Sequence, residues 1–365
     1  MQFPLCDNKP ITEVRSFMHI DLIQTREAWA ALADEWNALL VESHTNNPFL
    51  TYEFQTAWWR HKGGGEWPDA ELHILTARDV DGALMGIAPL FKAEDAERRQ
   101  ALMLIGSHEI ADFLDLIVRP QDHRAFSAAL LEHLSNHESP GWDVLDLSNL
   151  LEDSATLEVF GELAQETPWP REQNRLQASP YIPIPADLDE YFAMLNAKQA
   201  HELRRKMRRA ANNAIPIRME IVKQAEDLEQ ALDDFFQLMT QEADKAAFLT
   251  AAMRLQMEAI ARAAFENGWL QLAFLKVGND RAAAYLNFDY DNRIWAYNSG
   301  FDSRFAPLSP GWLLMVEMLQ WCIAQGREVF DFMRGDEEYK YRFGAIDRFV
   351  WQVEIVRQLS GSGVG

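Results

Sequence analysis

The chain has 365 residues, of which 48% are apolar and 11% aromatic, and its formal charge is −22. That length admits two α/β units of about 150 residues each, and an apolar share of this size excludes an intrinsically disordered chain. The negative charge repels polyanions, which argues against nucleic acid or anionic membrane as a general partner unless a local basic patch overrides it.

Met1 to Pro10 lack the basic start and apolar run of a secretory signal. The most apolar helical stretch, Gly311 to Ala324, is too short for a membrane span and carries Glu317 and Gln320. With only Cys6 and Cys322, neither a disulfide framework nor a cysteine-ligated zinc site is expected, and a soluble protein of a reducing, cytoplasmic compartment is. The nine histidines form no metal-ligand spacing, so no metal is expected.

In chain order, helical patterns at Arg26 to Leu40 and Tyr52 to Arg60 precede a hairpin at Leu72 to Leu90, turned at Asp81-Gly82. A strand ending in glycine follows (Leu102 to Gly106), then a helix (Gln121 to Asn136) and a strand with a central aspartate, WDVLDL around Asp146. The same order returns later. Helices at Ala225 to Thr240 and Thr250 to Glu266 precede a hairpin at Leu270 to Asp289, turned at Gly278-Asn279-Asp280. Then come a strand from Ile294 to Gly300, a helix from Ser309 to Gln325, and EVFDF around Asp331. Strand, helix and parallel strand make a right-handed crossover, and with a hairpin beside it each sheet must be mixed.

Between the repeats, Thr167 to Asp187 holds five prolines and reads as a linker or edge segment. The expected division is residues 1–180, residues 181–358, and a disordered tail at 359–365.

Four stretches can carry chemistry. Ser309-Pro310-Gly311 opens a helix with an N-cap residue, a proline and a glycine; it is an anion-holding helix start or an ordinary capped helix. On a strand, Asp331 shares a face with Val329 and Met333 among apolar neighbours. It is therefore a carboxylate of raised pKa suited to act as a base, or a structural ion pair with Arg334, Lys340 or Arg342. Tyr339 nearby is a proton donor or a half-buried aromatic. The helix KQAHELRRKMRR, Lys198 to Arg209, carries six basic residues against one glutamate; it is an anion site or a solvated face. In the first repeat, His108 and Asp112 lie in the loop after the central strand and line a cleft or simply a polar surface. No phosphate-binding glycine loop and no nucleophile elbow occurs.

NPFLTYEFQTAWW at Asn47 to Trp59, the stretch from Tyr181 to Ala210, and above all Tyr297 to Gly344 together resemble the GNAT superfamily. The likeness is to its CelD-like branch of cellulose-biosynthesis proteins, related to the FemAB peptidyltransferases. The resemblance implies an α/β fold of tandem GNAT-like domains, each a mixed, mostly antiparallel sheet flanked by helices. It also implies an acyl-CoA donor, acetyl-CoA or another, and an amine acceptor that is small or glycan-linked, in cell-envelope or exopolysaccharide synthesis. On that reading Asp331 and Tyr339 are catalytic. Tyr297, Asn298, Ser309, Gly311 and Arg205 hold the cofactor, and Arg334, Lys340, Arg204, Arg208, Asp112 and His108 contact substrate. RFAPLSPG, Arg304 to Gly311, stands where typical members have a Q/R-x-x-G-x-G/A pyrophosphate loop. Two alternatives are an aminoacyl-tRNA donor, as in FemAB relatives, and a non-catalytic partner of a polysaccharide synthase. All the catalytic readings require Ser309 and Asp331 to border one cleft.

Overall fold

The computed structural model describes residues 18–106, 109–135, 141–163 and 169–357; Cys6, His108 and the expected tail lie outside the described residues. In the first half the strands are β1 (Ile20–Ile23), β2 (Glu71–Leu72), β3 (Ile74–Arg78), β4 (Leu84–Ala88), β5 (Leu90–Glu94), β6 (Gln100–Leu104), β7 (Ile117–Val118), β8 (Val144–Leu151) and β9 (Arg171–Ala178). The helices there are α1 (Arg26–Ala30), α2 (Ala33–Glu42), α3 (Tyr52–His61), α4 (His123–Ser135) and α5 (Ala155–Leu163). The hairpin at Asp81-Gly82 is present as β3 and β4, with Gly82 at φ +85° as its tight turn requires. Pro89 has no N–H to give the ladder, and there the hairpin bends into a second sheet through β2 and β5.

The second half contains α6 (Leu188–Met194), α7 (Ala197–Ala211), α8 (Ala225–Met239), α9 (Ala243–Phe248), α10 (Ala251–Glu266), α11 (Pro310–Gln325) and α12 (Glu338–Arg342). Its strands are β10 (Tyr181–Pro183), β11 (Ile217–Ile221), β12 (Leu270–Val277), β13 (Asp280–Tyr290), β14 (Arg293–Phe301), β15 (Val329–Asp331) and β16 (Phe349–Val356). Three sheets result, ordered β1-β3-β4-β7, β2-β5-β6-β8-β16-β9 and β10-β15-β14-β13-β12-β11. The architecture is mixed α/β with mostly antiparallel pairing; the parallel pairs are β6 with β8 and β14 with β15.

The proline-rich stretch supplies two edge strands, β9 and β10. The last strand, β16, inserts between β8 and β9, so a division of the chain at residue 180 separates β16 from both of its pairing partners.

The third sheet has two unlike faces. Leu272, Phe274, Leu286, Phe288 and Trp295 join a core shared with the first half, in which Phe49 and Phe113 pack edge-on or tilted against Phe288 and Trp295. Ala273, Leu275, Ala283, Ile294 and Phe330 face the other way, onto α7 and α11. That alternation is the period of a strand buried on both sides.

Candidate active site

β14 and β15 pair only from Arg293/Val329 to Trp295/Asp331. Beyond those residues they diverge, and β14 runs on to Phe301 with no strand of the described residues paired on that side. The register with β13 skips Tyr297, so a β-bulge interrupts β14 where the strands part. A bulge at a splayed edge turns backbone N–H groups away from the ladder, toward whatever occupies the slot.

Close packing brings polar groups to that slot. A Cβ on Gly300 would lie 2.3 Å from the Met239 nitrogen, so the end of α8 rests directly on β14. The chain just after that contact carries Glu242 and Lys245. Lys245 Nζ donates to the Ser299 carbonyl oxygen at 2.7 Å and pairs with Glu242 at 3.1 Å.

On the opposite arm Met333 and Gly335 have φ of +65° and +104°, a tight turn that points carbonyls inward. Buried Lys340 Nζ satisfies them, donating to Arg334 and Gly335 at 2.8 and 2.9 Å and to Met333 at 3.3 Å, and it pairs with Glu337 at 2.8 Å. Between the arms Tyr285, register partner of Ser299, and Tyr339 interact through their hydroxyls. Burial pushes Tyr285 up to about 12 and, with Tyr285, Glu337 and Glu242 nearby, holds Tyr339 well above the usual phenol range. Both phenols are therefore protonated at neutral pH.

Above the slot on the α11 side lies the helix start. The expected N-cap differs in detail: Ser309 has φ +55° and its side chain caps nothing. Pro310 has no N–H, and the left-handed backbone turns the Ser309 hydroxyl outward, where Lys206 of α7 donates to it at 2.9 Å. A Cβ on Gly311 would meet nothing within 4 Å. Lys206 is held below the usual ammonium range by burial and by Arg205 and Arg342, against the opposing pull of Glu202. Lys206, with the charges of Arg205 and of the Glu338-paired Arg342 acting on it, thus stands at the positive end of a 16-residue helix, a combination that favours anions. The rest of α7 is divided. Arg204 stacks on Phe192 at 4.3 Å, and Arg208 is exposed.

The other sequence candidates go elsewhere. Asp331 is fully buried and bound to Arg348 and to the Met333 N–H at 2.9 Å; Arg334, Lys340 and Arg342, the partners considered from sequence, are all otherwise engaged. Burial raises its pKa against the pull of Arg348. Its neighbours Phe330 and Phe332 face α11, so Asp331 points toward the first half, where Arg348 lies over Phe113 at 4.8 Å. Asp331 and Ser309 thus lie on opposite faces of the sheet, so the shared cleft required of them is not formed and the catalytic role expected of that pair ends there; what remains is the slot at Tyr285 and Tyr339 on the Ser309 side. Arg334 bonds to Asp112 at 2.5 Å and Asn149 at 3.0 Å, tying the halves together. Tyr297 donates to the Ile110 carbonyl at 3.0 Å, and the Asn298 side-chain oxygen accepts the Ser299 N–H at 2.8 Å.

Sequence reasoning missed Tyr285, Ser299, Lys245, Glu242, Glu337 and Lys206. Only the glycine ending the β14 pattern hinted at a close approach there. Among the described residues no group of three or more His, Cys, Asp or Glu stands in metal-ligating arrangement, and no helix is long and apolar enough to cross a membrane.

Residues 197–341, which carry the strand, the splayed slot and the helix start, match the family model described as acetyltransferase (GNAT) domain. The matched stretch runs from α7 to α12 and spans less than half of the chain. Over the whole chain the fold is similar to the crystal structure of FemX, at 12% identity over 92% of this chain and 97% of that one, with a TM-score of 0.63. It is also similar to a conserved protein of unknown function from Bacteroides thetaiotaomicron VPI-5482 (13% identity, 93% and 100% covered, TM-score 0.60). A third likeness is to L-PGS from Bacillus licheniformis (12%, 88% and 90%, 0.54). At such identities the likeness is one of fold. No curated protein sequence matches the chain.

Proposed function

We propose that the second half is an acyl-CoA-dependent N-acyltransferase whose slot between β14 and β15 takes the thioester. Its acceptor is a small or sugar-linked amine, in cell-envelope or exopolysaccharide synthesis. The observation that carries this reading is the Tyr285–Tyr339 pair in a splayed slot beneath a helix start that Lys206 contacts through Ser309.

The anionic end of the donor rests on the N–H groups of Gly311 and Trp312 and on Lys206, and the thioester carbonyl oxygen lies against the N–H groups at the Tyr297 bulge. The amine nitrogen attacks the carbonyl carbon, the C–N bond forms and the C–S bond breaks. Tyr339 protonates the departing thiolate, and the proton lost by the amine goes to Glu337, the exposed carboxylate beside it. Here Tyr339 keeps the role expected from sequence. Asp331 becomes a structural carboxylate, and Arg334 and Lys340 become holders of the slot's far arm.

The test is calorimetric titration with acetyl-CoA, followed by thiol release with simple amines. Tyr339→Phe is expected to lower kcat about 100-fold and leave donor affinity unchanged. Absence of binding by acetyl-, malonyl- and longer acyl-CoAs would overturn the reading. Exposed Arg204, Arg205, Arg208 and Arg209 on α7 support a second reading, aminoacyl transfer from tRNA, which that null result together with tRNA binding would favour. Loss of neither binding nor cellular role in Tyr339→Phe would instead favour a non-catalytic partner.

A further inference from the structure

A cavity of about 600 Å³ opens in the first half, over the ends of β6 and β8 where these strands are still paired, with Ala101, Met103, Val144 and Asp146 along its floor. Asp146 is the counterpart of Asp331 in sequence, and the two carboxylates are served differently. Asp331 is bound to Arg348. Asp146 is only 8% exposed, yet no Lys, Arg or His of the described residues pairs with it. Its Oδ1 accepts the Ser148 hydroxyl at 2.6 Å. Its Oδ2 receives no hydrogen bond from the described residues and keeps accessible surface on the cavity.

The strand register adds repulsion. Asp146 stands directly opposite Glu354 of β16, and like charges facing each other across a strand pair are destabilising. Arg99, the basic side chain lining the cavity, is engaged elsewhere. Its Nε donates to Asp95 at 2.7 Å, its two Nη groups donate to Glu354 at 3.3 and 3.4 Å, and Nη2 lies 3.5 Å from Glu97. Asp95, Glu97, Asp146 and Glu354 thus share one positive charge.

A carboxylate as buried as Asp146 is ordinarily paired, because desolvating its charge without a partner is costly. A ligand that restores the pairing is a cation, and one that also offsets the surplus beyond Asp146 carries two charges. A bare metal ion fits poorly, since among the described residues no group of three or more His, Cys, Asp or Glu stands in metal-ligating arrangement. Two ammonium groups joined by a methylene chain suit carboxylates that are spread around an apolar floor.

We propose that this cavity binds an aliphatic diamine, with one ammonium on Asp146 Oδ2 and Glu354 and the other at exposed Glu97. The cavity shares no lining residue with the slot between β14 and β15, and its occupancy does not depend on the acyl-transfer reading.

The experiment is calorimetry and ligand-observed NMR on the full chain with 1,4-diaminobutane, butylamine and Mg²⁺ as probes. It is run in about 0.15 M salt, where the general field of the chain is screened beyond about 8 Å. 1,4-Diaminobutane is expected to bind about tenfold more tightly than butylamine. Asp146→Asn, which keeps an acceptor for Ser148, is expected to weaken the diamine about tenfold. The surface change Glu97→Gln is expected to bring the diamine down to the affinity of butylamine and to leave butylamine unchanged. Tyr339→Phe is expected to bind each probe as the unaltered chain does. The diamine site is overturned if 1,4-diaminobutane fails to bind at millimolar concentration, or if its affinity is indifferent to Asp146→Asn, as where it sits in the slot as an acceptor. It is equally overturned if Mg²⁺ displaces the diamine at equal concentration, as where the cavity responds to positive charge alone.

Discussion

The chain builds the same splayed strand pair twice and fills the two openings with opposite chemistry. In the first half β6 and β8 pair from Ala101/Val144 to Met103/Asp146 and then part, as β14 and β15 do. That opening is closed by aliphatic side chains and backbone bonds. Ile105, Ala111 and Leu114 are at most 1% exposed; Leu114 N donates to the Asn149 carbonyl at 3.0 Å, and Gln55 Nε2 donates to the Ile105 carbonyl at 2.8 Å. A Cβ on Gly106 would meet Leu114 and Ala111 within 2.8 Å. The second opening holds two phenols, two lysines and two carboxylates instead, and Ser299, Tyr339, Ser309 and Gly311 are all partly exposed. One topology therefore serves as a packed support in one half and as a polar slot in the other. The difference lies in what the segment after the central strand does: residues 109–114 fold back into the gap, while residues 302–308 lead away into a helix start.

The sharpest way to break this comparison is to empty the first opening. Leu114→Ala is expected to reduce stability by about 3 kcal/mol in denaturant melts, through lost burial and a residual cavity, with kcat unchanged at a temperature where the chain remains folded. A loss of activity exceeding the loss of folded protein would mean that the first opening takes part in the chemistry.

The first half's buried polar groups respond to pH in a way that tests the same contrast. Asp115 accepts from Ser154, Thr156 and the Leu116 N–H, yet burial pushes its pKa from 3.8 up to about 6. A carboxyl whose pKa is raised in the folded state favours folding below its unfolded pKa, and that contribution is lost as pH rises through the folded value. Relative to Asp115→Asn, the unaltered chain is expected to gain up to about 3 kcal/mol as pH falls from 7 to 4, read from urea melts of both. His123, joined to Asp115 through Thr156 at 3.2 Å and lowered by burial to about 4, works in the opposite direction, but it is present in both proteins and largely cancels. An unchanged difference across that window would mean that Asp115 is not shielded from solvent as its packing implies.

How much of this was legible beforehand depended on the range of the interaction. Hairpin turns at Gly82 and Gly278 and the helices over 225–239 and 251–266 follow from neighbours within a few residues, and the period-2 pattern correctly placed Asp331 among apolar groups. Its partner was not legible, because Arg348 lies in the loop leading into β16 and only the insertion of β16 between β8 and β9 brings it there. The slot was half legible. Tyr339 and Ser309 stood out by type and position, whereas Lys245 sits on a short exposed helix with no periodic signal and reaches β14 only because α8 rests on Gly300. The proposed anion site showed in the sequence as a basic run but not as a division of labour, since the rotation of α7 decides that Lys206 meets Ser309 while Arg204 meets Phe192.

That rotation yields the smallest effect and the finest test of what separates the two openings. The start of α4, at the corresponding place in the first half, is preceded by Arg119, which is paired with Asp122 at 2.6 Å. At α11, Lys206 is matched among the described residues only by Glu202 at 3.8 Å while Arg205 and Arg342 repel it, an arrangement that an arriving anion relieves. Lys206→Glu reverses one charge there and gives up the contact of its ammonium with the Trp312 ring at 4.3 Å, so acetyl-CoA affinity is expected to fall about tenfold, with kcat at saturating donor altered by less than about twofold. The loss should shrink as salt is raised from 0.05 to 0.5 M, because the screening length for solvent-accessible charges falls from about 14 Å to about 4 Å over that range. If donor affinity is unaltered, or if Arg119→Glu in the first half weakens it equally, the anion is not held at α11 and the assignment of the second opening as the acyl site loses its electrostatic support.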